Sequence, residues 1–141
     1  LQPEFHEYAR QVVKNAARLA EELKTRGFEL VTGGTSNHLI LADVYKSFGI
    51  DGKRVEVALD AIGLTLNANA VPDDTLPMFR PSGIRLGTPA ATTRGLREDD
   101  MEQIAEWMKR AIDARDNEST LLEIRKKVQE FLAQFPLPYF T

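Results

Sequence analysis

The stretch RPSGIRLGTPAATTRG, residues 80–95, places one arginine, Arg85, between two apolar residues, with a glycine two positions away on each side. Side chains alternate along a β-strand, so the apolar neighbours would share one face and Arg85 would point to the other. The glycines would leave the backbone near the guanidinium uncrowded, as a close-fitting ligand requires. Because a guanidinium pairs with both oxygens of a carboxylate, the pattern fits a carboxylate-binding arginine. A solvated arginine on a half-exposed strand fits it as well and is the more common case.

The sequence before this stretch predicts a helix followed by two strands. Apolar residues recur at steps of three and four over residues 5–23, which is typical of an amphipathic helix, and Gly27 is placed to end it. Residues 28–44, FELVTGGTSNHLILADV, contain two β-prone runs joined through Gly33 and Gly34. They predict a hairpin or a strand pair with a longer connection.

The middle of the chain predicts a second helix, a third strand and a loop. Asp51 is a favourable N-cap for a short helix that Gly63 would end. Residues 64–71, LTLNANAV, predict a short strand that runs into a loop. Residues 72–81 contain three prolines and predict irregular structure.

Two further helices are predicted after the opening stretch. Apolar residues at helical spacing indicate the first over residues 101–112, and Thr120 followed by Glu123 fits a capping box for the second. Residues 135–140, FPLPYF, cannot continue that helix. The order of elements predicts a two-layer α/β (α+β) domain, in which a small mixed or antiparallel sheet has its helices packed on one side.

Composition limits the classes of function. At 141 residues and 43% hydrophobic content, the chain corresponds to about one domain with a sizeable core. The net charge of −3 is mild, and no apolar run approaches the roughly 20 residues that span a bilayer, so we expect neither nucleic acid nor a membrane as partner. Cysteine is absent, which excludes disulfides and thiolate chemistry. We expect a cytoplasmic protein, and a chain that begins without methionine is expected to be cut from a longer one.

The residues show little chemistry that could operate by itself. The two histidines, His6 and His38, are far apart and lack metal-ligand spacing, so we expect no metal site. Residues 32–38, TGGTSNH, lack the lysine of a phosphate loop and do not match GxGxxG. Asp99 and Asp100 would open a helix, where the macrodipole favours acids, and are expected to be structural.

Three segments resemble the C-terminal domain of serine hydroxymethyltransferases: GGTSNHLILADV at 33–44, ALDAIGLTLNANAVPDD at 58–74 and FRPSGIRLGTPAATTRG at 79–95. The similarity runs over most of the chain, and its longest signature is SGIRLGTPAATTRG. It implies the small C-terminal domain of the aspartate-aminotransferase-like fold, which is fold type I of the pyridoxal-phosphate enzymes. We then expect residues 1–27 to form a helix leading into this domain, and residues 28–141 to form the domain.

The resemblance also implies an activity and its site residues. Enzymes of this family interconvert serine plus tetrahydrofolate with glycine plus 5,10-methylenetetrahydrofolate, and use pyridoxal 5′-phosphate as cofactor. By resemblance, Arg85 binds the α-carboxylate of serine or glycine, and Asn69 hydrogen-bonds the pterin of the folate. Pro77, Met78 and Phe79 match the segment that lies along the folate, with Pro77 at a position where serine is frequent. Proline offers neither a hydroxyl nor a backbone N–H, and Phe79 fits a core residue equally well.

One element of the family is missing. These enzymes hold their cofactor on a lysine within a Thr-rich motif of the T-H-K-T type, and none of the seven lysines here has that context. The resemblance assigns this lysine, the phosphate-binding residues and most of the folate site to a large domain upstream. We therefore expect no catalytic or cofactor-binding residue in this chain and no activity of the chain alone. In the full-length enzyme, we expect the large domain as its partner and a homodimer or tetramer.

Two alternatives stay open at the level of sequence. The first is another fold type I enzyme, such as an aminotransferase, which also binds its substrate's carboxylate with an arginine of the C-terminal domain. The segments NANAVPDD at 67–74 and PMF at 77–79 favour folate use over this alternative. The second is a binding module that has lost catalysis, which a full-length protein without the cofactor lysine would support.

Overall fold

A computed structural model describes residues 3–32 and 38–136 of the chain. Within these ranges lie six helices and four strands: α1 (Pro3–Thr25), β1 (Glu29–Leu30), β2 (Leu39–Asp43), α2 (Val44–Phe48), α3 (Gly52–Ala61), β3 (Asn67–Asn69), β4 (Gly83–Gly87), α4 (Pro89–Thr93), α5 (Glu98–Asp113) and α6 (Glu118–Leu132). None of the helices in the described part of the chain is both long and apolar enough to cross a membrane.

The four strands form one antiparallel sheet in the order β1-β2-β4-β3. Strand β4, which lies within residues 80–95, is therefore paired on both sides. Arg85 lies opposite Leu41 of β2 and opposite Asn67 of β3. The predicted small sheet is confirmed, and of its two predicted forms, mixed or antiparallel, the structure has the antiparallel one.

The two faces of the sheet differ in character. The inner face carries Ile40, Ala42 and Ile84, which are all buried in the hydrophobic core together with residues of α1, α3, α5 and α6. The outer face carries Arg85 and Asn67, and both side chains are exposed. We call this surface, formed by Leu39, Leu41, Asn67, Asn69 and Arg85, the outer face. Its exposure confirms the predicted arrangement, in which helices cover one side of the sheet.

Helix α1 packs on the same core as the rest of the chain. Its residues Val12, Ala16, Leu19 and Leu23 are buried, and its most extensive contacts are with α5. The helix ends at Thr25, and Gly27 adopts a left-handed conformation with φ of 90°. The predicted helix and its stop are thus confirmed.

Most predicted helix boundaries are correct, and one is wrong. The Asp51 side chain accepts from the Arg54 N–H at 3.0 Å, as predicted for an N-cap. The last helix begins at Glu118 rather than at the predicted capping box. Its N-cap is Asn117, whose side-chain oxygen accepts from the Thr120 N–H at 3.2 Å. Asparagine is at least as good an N-cap as threonine, and so Thr120 lies within the first turn.

Two short helices, α2 and α4, were not predicted. Each has only five residues, too few for an apolar period to be recognised. Helix α2 instead depends on a cap, because the Asp43 side chain accepts from the Lys46 N–H at 2.9 Å. In the sequence, a single aspartate after an apolar run looks like the end of a strand. The pattern alone therefore does not indicate that a helix begins there.

Gly52, the first residue of α3, is expected to tolerate no side chain. Its N–H donates to the Pro81 carbonyl at 2.7 Å, and a Cβ at this position would overlap the Gly83 carbonyl. We expect Gly52→Ala to lower the free energy of unfolding by about 1–3 kcal/mol, because overpacking forces the backbone to shift. Urea denaturation checks this, with the exposed Asp60→Ala on the same helix as control. A Gly52→Ala protein as stable as the control would contradict the close approach of α3 to β4.

Candidate functional site

Arg85 projects from the centre of the outer face. It lies on the central strand β4, and its side chain is exposed. Several other arginines of the chain pair with carboxylates, for example Arg26 with Glu22 at 2.9 Å and Arg54 with Asp116 at 3.3 Å. Within residues 3–32 and 38–136, by contrast, no acceptor pairs with the Arg85 guanidinium. Its five N–H groups are therefore available to an anionic ligand.

An open depression of about 340 Å³ lies beside Arg85. Its lining also includes Leu39 and Leu66, which are apolar, and Asn67, which pairs with Arg85 across the strands. The guanidinium thus borders a concave surface with one amide and some apolar area. A small carboxylate-bearing molecule bound here would be contacted on one of its sides only, because the rest of the depression is open to solvent.

The two glycines flanking Arg85 have a structural cause that the sequence pattern did not indicate. A Cβ on Gly83 would lie 2.7 Å from the carbonyl oxygen of Asn69, and a Cβ on Gly87 would lie 2.8 Å from that of His38. Side-chain carbons do not approach oxygens so closely, so both glycines are needed for the neighbouring backbone to come near β4. Free space for a ligand is not required to explain them.

Asn69 lies on the same outer face as Arg85, at the end of β3. It is half-buried, and its Nδ2 donates to the Ala70 carbonyl at 2.9 Å. This hydrogen bond uses one of the two amide protons and leaves the side-chain oxygen and the second proton available. Asn69 and Arg85 therefore lie on one surface of the sheet.

Strand β3 is held at its outer edge by Glu56 of α3. The carboxylate accepts from the Ala68 N–H at 2.8 Å and from the Lys53 ammonium at 2.6 Å. The hydrogen bond from Lys53, followed by that from Ala68, lowers the pKa of Glu56. An edge strand would otherwise leave this N–H unpaired, so Glu56 fixes the strand that carries Asn67 and Asn69.

Pro77, Met78 and Phe79 form the tip of an irregular loop. The Pro77 carbonyl accepts from the Arg80 N–H at 2.9 Å, which closes a tight turn. Met78 is 94% exposed and Phe79 is 76% exposed. The alternative that Phe79 is a core residue is therefore wrong for this chain. Two adjacent large apolar residues are thus left exposed at the tip of this loop.

Asp74 organises the base of this loop, and the sequence analysis did not single it out. Its carboxylate accepts from the N–H groups of Val71 (3.2 Å), Leu76 (2.9 Å) and Ser82 (2.9 Å), and from the Ser82 hydroxyl (2.7 Å). Burial alone would raise the pKa of Asp74, but the hydrogen bonds from Ser82, Leu76 and Val71 outweigh it and lower the pKa to about 2. An acid next to prolines in a loop is the signal that could have identified this role.

The signature segment after β4 joins two helices through buried hydrogen bonds. The buried Thr88 hydroxyl donates to the Val12 carbonyl at 2.7 Å. The fully buried Asn15 donates to the Thr92 hydroxyl and to the Leu96 carbonyl, both at 2.9 Å. These contacts attach α4 to α1. The role of Asn15 was not predicted, because its position on the apolar side of α1 does not show which distant residues it bonds.

The residues present do not fit a site for pyridoxal phosphate. All seven lysines lie on helices: Lys14 and Lys24 on α1, Lys46 on α2, Lys53 on α3, Lys109 on α5, and Lys126 and Lys127 on α6. Four of them pair with carboxylates. None lies on a strand beside Arg85. That the cofactor is held by a lysine elsewhere stays a prediction from the sequence.

The remaining candidates do not assemble into a site. His6 is exposed on α1 and His38 is exposed before β2. The described ranges contain no group of three or more potential metal ligands. Residues 33–37, which carry GGTSN, lie outside the described residues. At the start of α5, Asp100 accepts from the Arg97 N–H at 2.8 Å, which confirms its structural role.

The stabilisation from Asp74 is expected to disappear in acid. The unfolded carboxyl takes up a proton near pH 3.8, whereas the folded one stays ionised until about pH 2. Between these values protons bind preferentially to the unfolded chain, so the contribution is full above pH 3.8 and is lost as the pH falls towards 2. The stability difference between wild type and Asp74→Asn, measured by denaturation over this range, should shrink accordingly. A difference that is constant with pH would contradict the hydrogen-bonding of the carboxylate.

Comparison with known proteins agrees with the resemblance noted in the sequence. A sequence model of a family described as serine hydroxymethyltransferase matches residues 1–108, which include Arg85, Asn69 and the whole loop of Asp74. A serine hydroxymethyltransferase of Acidobacterium capsulatum is 50% identical over 137 residues, which is 97% of this chain and 32% of that protein. The chain thus spans about a third of the length of this relative. The match favours this family over the aminotransferase alternative, and the chain belongs to the serine hydroxymethyltransferase family.

Proposed function

We propose that the protein containing this chain interconverts serine plus tetrahydrofolate with glycine plus 5,10-methylenetetrahydrofolate, and that the chain supplies the arginine for the substrate carboxylate. The observation that carries the proposal is the exposed guanidinium of Arg85 on the central strand, which has no partner among residues 3–32 and 38–136. Strand pairing on both sides fixes the backbone of this residue. A fixed arginine fork can hold an amino acid in one orientation, and correct orientation can account for roughly 7–11 kcal/mol of a barrier in favourable cases.

Asn69 and the loop tip are proposed to form one wall of the folate site. The free oxygen and second proton of the Asn69 amide suit a pterin edge, which presents both donors and acceptors. The exposed side chains of Met78 and Phe79 offer apolar area. Pro77 contributes its ring and the remaining lone pair of its carbonyl, since the carbonyl already accepts from Arg80.

Pyridoxal phosphate is proposed to be held by residues outside this chain. In such enzymes the cofactor carries the difficult chemistry, and the protein binds and orients the substrate. The lysines described above are surface residues of helices, so the chain alone is expected to be inactive. The remainder of the polypeptide is proposed to cover the outer face and to complete the depression beside Arg85.

Substitution of Arg85 in the full-length enzyme tests the carboxylate assignment. We expect Arg85→Ala to raise the KM for serine and the Kd for glycine by about tenfold or more, because a hydrogen-bonded charged pair contributes roughly 1.5–3 kcal/mol. Arg85→Lys should recover only part of the loss, since an ammonium keeps the charge but lacks the planar fork. Steady-state kinetics and glycine titration provide the measurements.

The matched control is Arg54→Ala, which removes an exposed arginine of α3 whose partner is Asp116. This variant should keep both affinities within about twofold, because surface ion pairs contribute little. Serine and glycine affinities that stay within twofold in Arg85→Ala would rule out the carboxylate assignment.

The 141-residue chain by itself is expected to acquire no specific cofactor adduct. After incubation with pyridoxal phosphate and borohydride reduction, mass spectrometry should find only scattered, substoichiometric labelling of surface lysines, and no serine hydroxymethyltransferase activity should appear. Labelling of a single lysine at one equivalent would contradict the assignment of the cofactor site to residues elsewhere.

A further inference from the structure

We propose that Asp74 is the positioning residue for the loop tip, and that it sets the affinity for the folate without setting the affinity for serine. This inference rests on the proposed function, because it assigns the loop tip to the folate. It adds a residue that touches neither substrate and acts through the hydrogen bonds at the base of the loop.

The Asp74 carboxylate joins both ends of the loop. On the entry side its two oxygens accept from Val71 and Leu76, and on the exit side they accept from the backbone and hydroxyl of Ser82. Each oxygen therefore receives one hydrogen bond from either end. The loop between Leu76 and Ser82 is closed through this single side chain.

The backbone just before Asp74 is shaped for this contact. Asp73 adopts a left-handed conformation with φ of 58°, and the Asp74 N–H donates to the Val71 carbonyl at 3.1 Å. Aspartate and asparagine adopt this conformation more readily than other non-glycine residues, so Asp73 allows the turn. The turn at residues 71–74 thus places the carboxylate inside the loop.

The described part of the chain buries little of the loop tip, so packing there does not replace these bonds. Met78 is almost fully exposed and Phe79 is about three-quarters exposed, so packing within the described chain holds them only weakly. Among the described residues, two further anchors lie on the exit side: Arg80 pairs with Asp51 at 3.3 Å, and the Pro81 carbonyl accepts from Gly52 at 2.7 Å. Without Asp74, the entry side would be free to move.

Arg85 is held independently of this loop. Its strand forms backbone hydrogen bonds with β2 on one side and with β3 on the other. Loosening residues 75–81 should leave that pairing intact. The two substrates should therefore respond to different parts of the structure. Binding of serine depends on Arg85 in the sheet, whereas binding of the folate depends on the loop that the Asp74 carboxylate closes.

Asp74→Asn in the full-length enzyme tests the inference. Either orientation of the new amide places an NH₂ group against at least one backbone N–H that the carboxylate now accepts from. We expect the KM for tetrahydrofolate to rise about tenfold while kcat changes by less than about threefold, which is the signature of lost binding rather than lost transition-state stabilisation. The Kd for glycine, measured without folate, should stay within about twofold.

Asp73→Asn is the matched control, because it removes the same charge from the adjacent residue, and asparagine tolerates the left-handed conformation. It should leave the KM for tetrahydrofolate within about twofold of wild type. Ser82→Ala removes only the hydroxyl contact and should give a smaller rise of the same kind, even if Asp74→Asn is poorly folded. Hydrogen exchange of the Leu76 and Ser82 amides should accelerate in both Asp74→Asn and Ser82→Ala.

Three outcomes would overturn the inference: an unchanged KM for tetrahydrofolate in Asp74→Asn, an equal loss of glycine affinity in that variant, or an equal effect of Asp73→Asn. The proposed function fails in a different way, through a wild-type enzyme that does not respond to tetrahydrofolate. The hydrogen-exchange comparison would then still decide whether Asp74 closes the loop.

Discussion

The place of Arg85 depends on the burial of its neighbour Ile84 at the centre of the sheet. Ile84 is fully buried and lies opposite two alanines, Ala42 and Ala68, whose small side chains leave room for it. A slip of one residue in the pairing of β4 would bring Arg85 into the core and Ile84 into solvent. An unpaired charge in the core would cost several kcal/mol, and the buried apolar area would be lost as well. The burial of Ile84 in the apolar core therefore also places Arg85 on the outer face, where it can contact a charged ligand.

The parts of the fold that the sequence predicted are those encoded by neighbouring residues. Alternation over residues 83–87 is enough to orient Arg85, and the three- and four-residue spacing of α1 is enough to orient its apolar side. Asp51 was recognisable as a cap because its partner lies only three residues further on. The error at α6 has the same origin, since Asn117 and Thr120 are both good caps, and local preference does not choose between them.

What the sequence did not predict depends on residues that are distant along the chain. The burial of Asn15 is explained by its hydrogen bonds to Thr92 and Leu96. The glycine at position 83 is explained by the close approach of the Asn69 carbonyl. These contacts divide the SGIRLGTPAATTRG signature into two parts with different tasks. The strand half presents Arg85 on the outer face, whereas the half after β4 attaches α4 to α1 through Thr88 and Thr92. A long signature is therefore not evidence that each of its residues meets a ligand.

The exposure of the outer face gives a physical reason to expect that Arg85 needs a covering surface to bind a carboxylate tightly. A guanidinium in open water gains little from a carboxylate, since exposed ion pairs contribute about 0–1 kcal/mol. The same pair gains strength when water is excluded and the local dielectric falls. In this chain the depression beside Arg85 is open, so the chain fixes the geometry of the charge but not the environment in which that charge is effective. The core of this chain fixes the position of the Arg85 guanidinium, and a covering surface would exclude water around it. These two requirements can thus be encoded in separate parts of one polypeptide.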